Sequence, residues 1–236
     1  MVNLEKDQSN NPASSSSNQP NPASGQSAAE RTFADEFKSF YKGDFKSIMT
    51  LFFTSPIDGI RAIFVKRSHK AYTYAVILFV SVFLLYVAGS YISVDSKFRK
   101  YIDFMTFIKI GMVPVIFMLF ITLFSFGIKS ASGQPVFKTE LLTGGLCGIP
   151  LGVLFLTLFS LQALSDDTMV DIVRNPEDAG MLALIFLIYI FLMLINVVQQ
   201  SLKASGTKDS VAWYGSPVVV VMAFYFTFKV IAEGLV

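Results

Sequence analysis

Charge is what this sequence has least of. Asp, Glu, Lys and Arg make up 15% of its 236 residues, against about 25% in an ordinary soluble domain. The shortage is uneven. Residues 1–70 hold 9 of the 19 Lys and Arg and 7 of the 17 Asp and Glu, which leaves 10 of each sign for the remaining 166 residues. So few charges cannot cover a water-facing surface, and a water-soluble fold is excluded for that stretch. Hydrocarbon needs no such cover, and the composition (53% hydrophobic, mean hydropathy +0.56) fits it. The chain has one cysteine, Cys147, and one histidine, His69. One cysteine excludes a disulfide within the chain, and the pair cannot build a His/Cys metal cluster. No GxSxG, HExxH or phosphate-loop pattern occurs. We therefore expect neither enzymatic activity nor a metal or cofactor. Cys147 sits among glycines and aliphatics, where a buried, inert thiol is expected. A net charge of +2 without a basic tract gives no reason to expect a nucleic-acid partner.

After Leu4, large apolar side chains are missing up to residue 31, in a segment that runs through Ser14–Ser17 and the repeated steps Asn11-Pro12 and Asn21-Pro22. Such a segment cannot bury enough surface to offset its ordering entropy and is expected to be disordered. It lacks the apolar core of a signal peptide, so the first span is expected to act as the insertion signal. Residues 32–70 differ. Thr32 and Asp35 have capping-box spacing, and Phe33, Phe37, Phe40 and Tyr41 share one helical face. A second stripe, Phe45, Ile48, Met49, Phe52 and Phe53, halts at Ser55-Pro56, where a third helix starts, with Ile57, Ile60, Ile63 and Phe64 as its apolar face. Basic residues lie beside it. These are read as interfacial helices, with Phe45, Ile48, Phe52, Ile60 and Phe64 on the membrane surface and Arg61, Lys66 and Arg67 near its headgroups. Packing on the protein's own bundle is the alternative.

Residues 71–236 contain five long apolar runs: Ala71–Ile92, Phe107–Ile128, Leu141–Leu164, Gly180–Val198 and one within Val211–Val236. Each matches a ~30 Å hydrocarbon core at about 1.5 Å per residue. The expected fold is an all-α polytopic membrane protein with five transmembrane helices, preceded by cytoplasmic amphipathic helices and a disordered tail. Basic residues favour an N-terminus inside and a C-terminus outside, with the basic first loop (Lys97, Arg99, Lys100) the exception.

Within the spans, ionisable groups look nearly absent. Lys109 and Lys229 are expected to snorkel near helix ends, and Lys129, Glu140 and Asp103 to belong to loops or helix termini. Asn196, Gln199 and Gln200 are expected to bond neighbouring helices. Gly144, Gly148 and Gly152 form a small-xxx-small ridge in the third span. Contact with another span of the same chain is expected, with self-association through this ridge as the alternative. Pro114 and Pro150 lie inside adjacent spans, where they can kink a helix.

Three stretches resemble the Yip family, the Ypt/Rab-interacting-protein domain. They are Leu51-Phe52-Phe53-Thr54-Ser55-Pro56 with Ile60 and Phe64; Gly133-Gln134-Pro135-Val136-Phe137-Lys138 followed by Gly144, Gly148, Ile149 and Pro150; and Leu202-Lys203-Ala204-Ser205-Gly206-Thr207. The resemblance covers residues 45–236. It implies five spans and a non-catalytic protein acting through protein partners or membrane organisation. The Asp-Leu-Tyr-Gly-Pro signature of the family's eukaryotic members is absent, so no GTPase-binding residues carry over. A bacterial inner-membrane relative is the expected type, with a Golgi or endoplasmic-reticulum protein as the alternative. Expected partners are membrane lipid and unidentified proteins. The competing function is a small-molecule transporter or channel-like subunit, with Pro114 and Pro150 breaking spans beside Asn196 and Gln200.

Overall fold

Every regular element among the described residues is helical. The computed structural model describes residues 33–66, 70–94, 96–99, 101–132, 135–163 and 176–234. The expected tail, Thr32, Arg67, His69 and residues 164–175 lie outside them. Helix α1 (Phe33–Ser39) runs through a π-helical turn (Phe40–Asp44) into α2 (Phe45–Thr54), and α3 (Asp58–Lys66) follows the Ser55-Pro56 corner. Next come α4 (Ala71–Ser93), a short α5 (Ser96–Arg99), α6 (Phe104–Ser132), α7 (Phe137–Ala163), α8 (Pro176–Ala204) and α9 (Asp209–Ala232).

Five of these, α4 and α6 to α9, are long and apolar enough to cross a membrane. The chain is an all-α polytopic membrane protein, as the apolar runs predict. The helices extend past those runs: α6 gains a turn at its end and α8 one at each end. Helix α6 continues through Pro114 and α7 through Pro150, and both prolines are buried.

Helix α7 is the centre of the bundle, touching α4, α6 and α8. Its glycines set the approach. A Cβ at Gly144 would strike the Met118 carbonyl and the Thr122 hydroxyl of α6, and one at Gly145 would come within 3.1 Å of the Ala75 Cα of α4. At Gly148 a Cβ would lie 2.7 Å from Val82 and 2.9 Å from Met118, and at Gly152 an unstrained 3.5 Å from Leu85. The ridge therefore packs within the chain, against α4 and α6. The same contacts show α4 and α7 running parallel, with α6 antiparallel to both.

The α8–α9 connection explains itself locally. Gly206 takes φ +81°, Thr207 N–H donates to the Leu202 carbonyl at 3.2 Å, and Gly206 N–H to the Lys203 carbonyl at 3.1 Å. This is a Schellman stop, in which a residue without a Cβ occupies the left-handed position.

The structure corrects the reading of residues 33–66. Ile48, Phe52 and Ile60 are essentially inaccessible, and Phe64 is 8% exposed. They belong to the core cluster with α4, α7 and α8, not to a membrane surface. An amphipathic stripe reports that an apolar face must be covered, and is silent on whether lipid or protein covers it. Phe45 is half-buried, while Arg61 and Lys66 are exposed as the stripe requires.

Candidate functional site: the polar end of the bundle

The polar interior collects where α6 meets α7, α8 meets α9 and α1–α3 are attached. Lys129, near the end of α6, and Glu140, near the start of α7, are each 5% exposed and lie 2.6 Å apart, Nζ to Oε2. Lys129 Nζ also donates to Ser201 Oγ of α8 at 2.8 Å, and Ser201 Oγ shares a 2.5 Å hydrogen bond with Thr143 Oγ1 of α7. Sequence reasoning assigned both charges to loop or helix-end positions. Both do lie at helix ends, in the last turn of α6 and the first turn of α7, but they face inward onto each other and α8. The signal lay in the spacing: each sits three residues inside its helix, on the face shared with Thr122 and Ser125 or with Thr143 and Gly144.

This arrangement is a latch between three helices. A buried pair offsets its desolvation only with close geometry and further hydrogen bonds, and Ser201 supplies one of them. Breaking such a pair by removing one partner costs about 3–5 kcal/mol. One turn before Lys129, the buried Ser125 hydroxyl has no hydrogen-bond partner among the described residues.

A second set of bonds ties the N-terminal helices to the bundle. Asn196 Nδ2 donates to the Pro56 carbonyl at 2.6 Å, and Gln200 Nε2 to Asn196 Oδ1 at 3.2 Å. Proline's fixed φ and the preceding corner leave that carbonyl outside any helical ladder, so a side-chain donor satisfies it. Asn196 lies eight residues from the end of α8, hence about 12 Å along its axis. Tyr74 Oη donates to Asp44 Oδ2 at 2.6 Å, and the Tyr41 hydroxyl pairs with Ser81. Helices α1–α3 thus form a layer held on one side to α4 and on the other to α8.

Two hollows flank this layer. The first, a cleft of about 400 Å³, lies between α1 and the start of α4 and carries Asp35, Glu36, Asp44 and Lys70 on its walls. The second, of about 230 Å³, is an apolar groove between Tyr41, Phe45 and Met49 on one side and α4 and α7 on the other. Of the residues singled out from sequence, Asn196 and Gln200 meet at the Pro56 corner, Pro114 and Pro150 are packed away, and Cys147 is fully buried. Among the described residues no group of His, Cys, Asp and Glu could hold a metal ion. No family model, no curated protein and no solved structure matches the chain.

Proposed function

We propose that this protein is a non-catalytic, Yip-like membrane protein of the bacterial inner membrane that acts through protein partners bound on the α1–α3 layer. The observation that supports the reading is the fixation of that layer: Pro56 on Asn196, Asp44 on Tyr74, and Ile48, Phe52 and Ile60 in the core. Anything bound to its outer face is thereby fixed to the bundle. That outer face is mixed, with Thr50, Thr54, Asp58, Arg61 and Lys66 exposed beside Phe53, Ile57 and Val65. Beside it, the acid-lined cleft offers Asp35 and Glu36 to a basic side chain of a partner. We place the layer on the cytoplasmic side, because basic residues are retained there. Membrane organisation through the same layer is the wider form of the proposal.

The test is co-purification of the full chain from its native membrane, beside an Arg61→Glu/Lys66→Glu variant. Recurrent protein partners that are lost with the variant support the reading. Flux of a small solute through liposomes holding the pure protein alone would overturn it in favour of a conduit.

A further inference from the structure

We propose that the apolar groove between α2 and the α4–α7 pair is a binding site for an anionic phospholipid, with one acyl chain in the groove and the phosphate at Lys42 and Lys46. The site stands apart from the partner-binding reading, since it needs no protein partner. The groove walls are Tyr41, Phe45 and Met49 facing Leu85, Gly152 and Val153. They are almost wholly apolar, and the last three belong to helices long enough to cross a membrane. The occupant at that depth is therefore hydrocarbon.

Two observations make the site selective. Gly152 leaves room: a Cβ there would meet only Leu85, at 3.5 Å, so the ridge that is tight at Gly144 opens at this level. The charge is also placed for a headgroup. Lys42, within the π-helical turn, and Lys46, at the start of α2, follow Tyr41 and Phe45 directly in sequence, and both are exposed. Lys38 precedes them by one turn and is exposed as well. Cations every fourth residue beside a chain-sized apolar groove match a phosphate above its acyl chain. Each lysine near an anionic headgroup is expected to strengthen retention about fivefold.

The experiment is native mass spectrometry of the full chain released from micelles containing equal phosphatidylglycerol and phosphatidylcholine. Phosphatidylglycerol should be retained preferentially. Lys42→Gln/Lys46→Gln should abolish the preference, and Val153→Phe, which fills the groove without changing charge, should lower retention of both lipids. A second readout avoids the charge variants. In a Trp213→Phe background, Phe45→Trp should be quenched more strongly by brominated chains of phosphatidylglycerol than by those of phosphatidylcholine. Inorganic phosphate alone should change neither signal. Equal retention and equal quenching by the two lipids overturn the proposal. So does retention of a second copy of the chain in place of lipid.

Discussion

Helices α7 and α8 are both apolar spans, yet they meet opposite surroundings. Of the most apolar stretch of α7, 61% is buried inside the protein, against 22% for α8. The more hydropathic of the two is the less buried. In α8, Leu182, Leu184, Ile185, Leu187 and Ile188 are all exposed, and from Gly180 onward the first buried side chain is Ile190. In α7, every residue from Leu142 to Gly152 is buried, and four of these eleven are glycine. Lipid is as apolar as leucine, so greasiness does not drive a helix inward in a membrane. Close backbone approach and polar contact do. Between these two helices, the buried stretch of α7 carries the glycines, and the exposed half of α8 is almost wholly large and apolar.

That contrast can be broken or sharpened by substitution. The largest effect is expected from Gly144→Leu, which drives a side chain into the Met118 carbonyl; loss of the folded monomer in detergent is the expected outcome, read by size exclusion. Lys129→Met comes next, at about 3–5 kcal/mol, because it strands Glu140. Adding Glu140→Leu should restore much of that loss, and thermal unfolding of the single and double variants measures the coupling. Asn196→Ala should cost about 0.5–1.5 kcal/mol by removing the donor to the exposed Pro56 carbonyl, seen as faster proteolysis between α2 and α3. Leu184→Ala on the exposed half of α8 should change unfolding by less than about 0.5 kcal/mol, since lipid replaces what is removed. A Leu184→Ala effect as large as that of Lys129→Met would mean that another chain covers this half of α8.

The five spans were legible because length and hydropathy together leave few alternatives for runs such as Ala71–Ser93. Two features escaped. Ile48, Phe52 and Ile60 were placed at a membrane surface because periodicity finds a face without naming what covers it. The pairing of Lys129 with Glu140, at the helix ends where they were expected, was missed because it spans eleven residues and depends on how α6 and α7 meet. Ser201, 72 residues from Lys129, could be linked to it only by the fold.

The central claim is that α1–α3 are built into the bundle and do not lie free on the lipid. A cross-link tests it most directly. In a Cys147→Ser background, Pro56→Cys and Asn196→Cys should be joined by a short bismaleimide within one chain in native membranes, at a yield matching that of Lys203→Cys with Asp209→Cys, an accessible pair across the α8–α9 connection. A joined control pair with no product between positions 56 and 196 would contradict the account.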